Sequence, residues 1–123
     1  MISYPVYKVI HLIGIMMIFL SLGGAATNII NGGTKNHKWR KAVAITHGTG
    51  LLLALIGGFG LLARLGITHG GLPVWAIAKI GIWFILAIVT GAITRKPDFA
   101  RPMWTIIIIL GATAAYLAGS KPF

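Results

Sequence analysis

The 123-residue chain has no cysteine and a single acidic residue, Asp98. The lack of cysteine excludes disulfides, thiolate catalysis and cysteine-ligated metals. The lack of carboxylates argues against a proton-coupled cation exporter, which needs an acid within the membrane. It also argues against a hydrolase with a Ser–His–carboxylate arrangement. Whatever chemistry the chain performs must therefore depend on its basic, aromatic and small residues.

Apolar residues dominate the sequence, with 57% hydrophobic, 10% charged and a mean hydropathy of +0.89. Stretches of about 18 or more apolar residues predict membrane-spanning helices, and four fit, at 5–30, 41–65, 74–94 and 102–119. We therefore predict one all-α domain, an integral membrane four-helix bundle with antiparallel, up-down helices. The first stretch is longer than the apolar core of a signal peptide and follows no basic segment, so we expect a retained helix.

The formal net charge is +10, and the cations gather at the span ends, where they meet anionic lipid head groups. We expect no nucleic-acid binding, because no recognition helix or aromatic platform lies outside the spans. Basic residues favour the cytoplasmic side. The connections 1–2 and 3–4 hold most of them: Lys35, Lys38, Arg40, Lys41, Arg95, Lys96 and Arg101. The opposite side holds Lys8, Arg64, Lys79 and Lys121. This bias predicts a multi-pass protein of a bacterial-type inner membrane with both termini outside.

His11, His47 and Lys79 are ionisable residues that lie well inside the apolar spans. Such residues are candidates for a functional site. Counting from the span ends places His11 and Lys79 at the same depth near one side. His47 lies near the other side, opposite residue 24 of the first span. The predicted offset between the histidines is about 13 residues, or ~20 Å along a helix, so they would serve two sites or sites shared between protomers.

Small residues accompany both histidines, with Gly50 and Ala54 following His47 on one helix face and Gly14 following His11. Such a face lets another helix or a flat porphyrin approach closely. Imidazole is a common axial ligand of haem iron, and haem propionates would supply the anions that Lys79 and Arg64 require in a membrane. We therefore predict binding of haem b with His11 and His47 as iron ligands, either of two haems or of sites shared between protomers. The other cofactor-binding residues would be Lys79, Arg64, Gly14, Gly50 and Ala54.

Three segments carry a family resemblance: YKVIHLIGIMMIFLSL (7–22), RKAVAITHGTGLLLALIGGFGLLA (40–63) and VWAIAKIGIWFILAIVTGAITRK (74–96). They resemble the first three helices of the SirB-like small membrane proteins. More distantly, the Lys-x-x-His opening, the Trp-x-x-x-Lys pattern and the final Lys-Pro-Phe resemble the HemJ-type protoporphyrinogen oxidases. That likeness implies haem binding through His11 and a functional role for Lys79. His47 has no clear counterpart in that family, and the chain lacks its longer connections and extra helix.

These observations predict a membrane b-type haem protein that transfers electrons, linked to a quinol or a porphyrin. It would be a haem-dependent membrane oxidoreductase. Its expected partners are the lipid bilayer, a quinone or redox protein, and a second copy of the chain in a homodimer. The alternative is a cofactor-free membrane interaction subunit whose histidines only join helices.

Overall fold

A computed structural model describes residues 3–34, 36–64 and 72–120 of the chain. The described residues form four long α-helices and one short 3-10 helix, with no strand among them. The α-helices are α1 (Tyr4–Ile30), α2 (Arg40–Arg64), α3 (Val74–Arg95) and α4 (Ala100–Ser120), and the 3-10 helix is Pro97–Phe99. The predicted all-α fold is confirmed. Lys35, residues 65–71 and the final Lys-Pro-Phe lie outside the described residues.

Local sequence signals explain several of the helix ends. Proline lies in the first turn of α1, where its missing N–H costs nothing. Gly32 follows α1 with φ +85°, a conformation that glycine adopts without strain. Pro73 precedes α3, and its carbonyl oxygen accepts hydrogen bonds from the N–H groups of Ala76 and Ile77 at 3.0 and 3.1 Å.

Each of the four helices is long and apolar enough to cross a membrane, with mean hydropathies of 1.6–2.2 over the central windows. Large apolar side chains also point outward from every helix. Examples are Leu20, Leu52, Ile88 and Ile108, which are 73%, 56%, 67% and 60% exposed. Soluble proteins rarely leave such continuous apolar surface in contact with water. The outer surface is therefore suited to lipid.

The closest helix pair is α1 with α2, which pack antiparallel in a single register. Along α1, His11, Gly14, Ile18 and Ser21 lie opposite Gly57, Ala54, Gly50 and His47 of α2, respectively. Each step of three or four residues along α1 is matched by an equal step backwards along α2. This alternation of three and four is the seven-residue periodicity of close helix packing.

Glycine makes this approach possible at two positions. A Cβ atom built on Gly14 would lie 2.7 Å from the carbonyl oxygen of Gly50, and one built on Gly50 would lie 2.8 Å from the carbonyl oxygen of Gly14. The two helix backbones therefore touch here, as small residues permit in membrane helices. The sequence allowed two interpretations of these small residues, contact with another helix or contact with a porphyrin. In the structure, Gly14 and Gly50 contact a helix.

Helices α3 and α4 pack more loosely against this pair. The indole N–H of Trp83 on α3 donates to the carbonyl oxygen of Leu51 on α2 at 3.0 Å. The most deeply buried large side chains are Ile18 and Leu22 of α1 and Ile93 of α3. Away from these contacts, two cavities remain between the helices.

Candidate functional site

The larger cavity has a volume of about 600 Å³ and is lined by all four α-helices. Its walls come from the beginnings of α1 and α3 and the ends of α2 and α4. Small-molecule sites in proteins typically enclose about 300–1,000 Å³ with apolar walls and a few polar groups. The polar groups here include Tyr4, Lys8, His11 and Lys79. The cavity therefore has the size and composition of a ligand site.

His11 is held against α2 by a pair of glycines. A Cβ atom on Gly57 would lie 2.6 Å from the backbone nitrogen of His11, and one on Gly58 would lie 3.4 Å from its imidazole ring. Because neither glycine has a side chain, the imidazole lies directly over the helix backbone. From there, its Nδ1 atom reaches the carbonyl oxygen of Ala54 at 2.7 Å.

This contact fixes which nitrogen of His11 bears the proton. A carbonyl oxygen only accepts hydrogen bonds, so Nδ1 carries the hydrogen and donates it. In a neutral imidazole, Nε2 then keeps its lone pair. Metal-binding histidines typically show this arrangement, in which one nitrogen donates to a carbonyl and the other is left for the metal. His11 therefore presents the correct tautomer for binding a metal through Nε2.

Two cations accompany His11 around the larger cavity. Lys79 on α3 is half-buried and lines the same cavity as His11. Lys8 is exposed and lies one turn before His11 on α1. The prediction that His11 and Lys79 share a level is matched by their common cavity. Arg64 is exposed and is not among the residues that line this cavity, whereas Lys8 is.

The wall that α4 contributes consists of residues with little or no side chain. They are spaced three, four, seven and eight residues from the first, which places them on one helix face: Gly111, Ala114, Ala115, Ala118 and Gly119. Trp75 and Trp83 of α3 line the same cavity. The spacing of these residues is visible in the sequence, but a stripe of small residues is more often plain helix packing and does not by itself indicate a cavity wall.

The predicted small cofactor-binding residues divide into two groups. Ala54 lines the larger cavity and provides the acceptor for His11. Gly14 and Gly50 lie at the backbone contact between α1 and α2 instead. No room for a macrocycle exists there, because a single added methyl group would already overlap the neighbouring helix. In this structure, Gly14 and Gly50 serve the packing of α1 on α2.

His47 lines the second, smaller cavity, which has a volume of about 400 Å³. Its Nδ1 lies 3.2 Å from the hydroxyl oxygen of Ser21, and its Nε2 lies 3.4 Å from the carbonyl oxygen of Ala87. The side chain is only 8% exposed. Both nitrogens therefore face protein atoms, which disfavours the predicted iron ligation by His47.

The contact with Ser21 also corrects the predicted depth of His47. The expected neighbour was residue 24, and the observed one is three positions earlier. The axial separation of the two histidines is thus about ten residues, or ~15 Å at 1.5 Å per residue. The two histidines still belong to separate sites.

Within the described ranges, no group of three or more His, Cys, Asp or Glu side chains converges to hold a bare metal ion. Comparison with protein-family models, curated proteins and solved structures found no match to the chain.

Proposed function

We propose that the chain is an up-down four-helix membrane protein that binds haem b in its larger cavity through Nε2 of His11. The hydrogen bond from His11 Nδ1 to the carbonyl oxygen of Ala54 carries this proposal. It sets the tautomer, orients the ring and leaves one nitrogen for iron. Because α1 supplies the imidazole and α2 supplies its hydrogen-bond acceptor, the most closely packed helix pair holds His11 in place.

The remaining walls of the larger cavity fit a flat, dianionic macrocycle. Beyond Gly111, against which the ring of Phe19 packs, the small residues of α4 leave space for a planar face, and the two indoles of α3 provide apolar contact. Lys8 and Lys79 supply two cations for two propionates. Charge-assisted hydrogen bonds of this kind are stronger than neutral ones. The larger cavity therefore combines an imidazole for the iron, a flat wall for the macrocycle and two ammonium groups for the propionates.

A haem held there would supply a one-electron iron couple for electron transfer. His11 is the only histidine that lines the larger cavity among the described residues. The chain thus provides one imidazole ligand, and Tyr4, Lys8 and Lys79 are the other described lining side chains with a nitrogen or oxygen donor at their ends. The apolar lining limits access of water to the site. These properties support a membrane oxidoreductase that takes electrons from a quinol or acts on a porphyrin.

Haem titration of the purified protein in detergent tests this function. We expect wild-type protein to give a saturable Soret band at one haem per chain. His11→Ala should lose the band or shift it strongly. His47→Ala, the matched control, should keep the wild-type spectrum as long as gel filtration shows a folded protein. A folded wild-type protein that binds no haem would refute the proposal.

A second candidate function rests on the same hydrogen bonds. His11 joins α1 to α2 through Ala54, and His47 joins α1, α2 and α3 through Ser21 and Ala87. In a cofactor-free interaction subunit, these contacts would be the whole purpose of the histidines. Such a protein would be colourless, and His11→Ala would change only its stability.

The proposed topology places both termini outside a bacterial-type inner membrane. The α1–α2 register and the mixed lining of the larger cavity support helices that alternate in direction. Because the chain has no cysteine, single cysteines can be introduced and labelled without background. In intact cells, an impermeant maleimide should label Ser120→Cys and not Lys38→Cys. Labelling of Lys38→Cys alone would reverse the orientation.

We further propose a homodimer. Gly24 of α1 and Gly91 of α3 are exposed, with no atom within 4 Å of an added Cβ. Outward-facing small residues of this kind favour close contact with another membrane helix. Light scattering of the detergent complex should give twice the chain mass, and the mass of a single chain would exclude the dimer.

A further inference from the structure

The smaller cavity lies at the end of the helices where α1 and α3 finish and α2 begins. Asn28 of α1, Arg40 of α2 and Thr94 of α3 line it there, and Ala25 and Gly48 line it one to two turns further in. The connections at this end carry most of the basic residues of the chain. A ligand in this cavity would therefore reach from the lipid head groups into the apolar part of the bilayer.

The interior of the smaller cavity offers a ligand apolar contact and no hydrogen bond. His47 has its Nδ1 atom 3.2 Å from the hydroxyl oxygen of Ser21 and its Nε2 atom 3.4 Å from the carbonyl oxygen of Ala87. The Oγ1 atom of Thr90 is buried and does not reach the cavity surface. The remaining inner wall consists of Ala25, Ile29, Val43, Ala44 and Gly48. Hydrocarbon is therefore the chemistry that fits this interior.

The smaller cavity is open along one face of α2. Arg40, Ala44 and Gly48 follow each other at intervals of four residues, and all three are exposed and line the cavity. At 1.5 Å per residue they extend ~12 Å along the helix, from its first residue inward. A Cβ atom built on Gly48 would meet no atom within 4 Å. The cavity is thus a groove that receives an extended chain from the side.

The rim of the smaller cavity is polar and cationic. Arg40 is exposed and donates to Asn36 Oδ1 at 3.3 Å, which holds its guanidinium at the mouth of the groove. His37 and Asn28 line the same rim. A guanidinium presents a planar fork of N–H donors that matches a phosphate group. Among the described residues that line this cavity, Arg40 is the only one with a formal charge, so the rim suits an anion.

We propose that the smaller cavity binds an anionic phospholipid. The phosphate would accept hydrogen bonds from Arg40 and the neighbouring amides at the rim, and one acyl chain would lie in the groove beside Ala44 and Gly48. Charge-assisted hydrogen bonds to the phosphate and burial of apolar surface both favour this complex.

The charge of the rim selects among lipids. A zwitterionic head group adds an ammonium, for which the described lining residues provide no carboxylate. Asp98, the single acid of the chain, lies in the 3-10 helix and is not among the lining residues. A free phosphate ion would leave the apolar groove unfilled. An anionic lipid is therefore the ligand that uses both the rim and the interior, and none of the residues involved lines the larger cavity.

Native mass spectrometry of the haem-free protein in detergent, titrated with phosphatidylglycerol, tests the head-group contact. We expect one tightly bound lipid per chain and weaker binding of phosphatidylcholine. Arg40→Gln should weaken phosphatidylglycerol binding about three- to tenfold, the effect of losing a hydrogen bond to a charged group. Lys41→Gln is the matched control, because Lys41 is the next residue, is exposed and does not line the cavity. It should bind within about twofold of wild type.

The acyl-chain contact is tested by filling the groove. Gly48→Leu projects into open space beside the chain and should weaken phosphatidylglycerol binding about fourfold or more, the effect of excluding one methylene group from apolar surface. Gly81→Leu is the control, because Gly81 is exposed, lines neither cavity and also has no atom within 4 Å of an added Cβ. It should bind the lipid as wild type does.

Four results would each overturn the lipid site. They are equal weakening in Arg40→Gln and Lys41→Gln, equal affinity for the two lipids, wild-type binding by Gly48→Leu, and displacement of phosphatidylglycerol by inorganic phosphate. The last result would identify an anion site instead. The proposal does not depend on haem: His11→Ala should keep lipid binding, and Arg40→Gln should keep the haem spectrum. Loss of one activity without the other therefore shows which proposal has failed.

Discussion

The Nδ1 atom of His11 lies 2.7 Å from the carbonyl oxygen of Ala54, so a ring on α1 is oriented by the backbone of α2. The contact depends on two successive glycines of α2, Gly57 against the backbone of His11 and Gly58 beneath its ring. It leaves Nε2 as the nitrogen that can bind a ligand in the larger cavity. The same relationship explains why the closest helix pair and the candidate site share their residues.

Replacing Gly57 by alanine should displace His11. The added Cβ would lie within 2.7 Å of three His11 atoms, and overpacking of this kind costs about 1–3 kcal/mol. We expect a lower free energy of unfolding, measured by denaturant titration in mixed micelles, and weaker haem binding. Gly81→Ala is the control because its Cβ would meet nothing within 4 Å. Equal effects of the two substitutions would contradict the packing described for His11.

Lys79→Met should weaken haem binding about tenfold, equivalent to ~1.4 kcal/mol. The reason is the loss of a half-buried cation that lines the larger cavity. Arg64→Met removes a cation outside that lining and should change the haem affinity by less than about twofold. Affinities are measured by following the Soret band during haem titration. A larger effect of Arg64→Met than of Lys79→Met would support the predicted contact between Arg64 and a haem propionate.

Filling the small-residue wall of α4 should exclude the cofactor. Ala114→Leu projects into the larger cavity, and we expect haem affinity to fall by at least about tenfold, or ~1.4 kcal/mol. The control is Ala112→Leu, because Ala112 lies two residues earlier on α4, is exposed and is not among the residues that line the cavity. It should bind haem as wild type does. An unchanged affinity in Ala114→Leu would place the cofactor elsewhere.

Ser21→Ala should destabilise the protein without affecting haem. It leaves a buried histidine without its partner on α1, at a cost of about 1–3 kcal/mol. Thr113→Val is the control, since its hydroxyl is exposed and bonds only to its own helix. Unfolding in mixed micelles and the Soret spectrum give the two readouts. Loss of the haem spectrum in folded Ser21→Ala would instead tie His47 to the haem site.

The four helices were predictable because each is a long apolar run with a clear beginning and end. The level shared by His11 and Lys79 followed from counting residues along those runs. The helix faces were harder to predict, because small residues suit a helix and a cofactor equally well. Only the register of α1 against α2 showed that Gly14 and Gly50 contact each other while Ala54 faces a cavity.

The hydrogen-bond partners of His47 could not be predicted from the sequence either. Its predicted depth was wrong by about one helical turn, the ~5.4 Å pitch of an α-helix, because a symmetric alignment of spans ignores the actual register. Hydrogen bonds to backbone carbonyls, such as those facing His11 and His47, leave no trace in side-chain identity. The sequence likewise gives no sign that the Oγ1 atom of Thr90 on α3 is buried without a hydrogen-bond partner among the described residues.

Chemical rescue of His11→Gly tests the central claim most directly. This variant removes the imidazole from the larger cavity and leaves space for a small ligand. The account predicts that haem-loaded His11→Gly has an altered Soret band, and that added imidazole restores the wild-type band in a saturable manner. A His11→Gly protein that binds haem with the wild-type affinity and spectrum in the absence of imidazole would contradict iron ligation by His11.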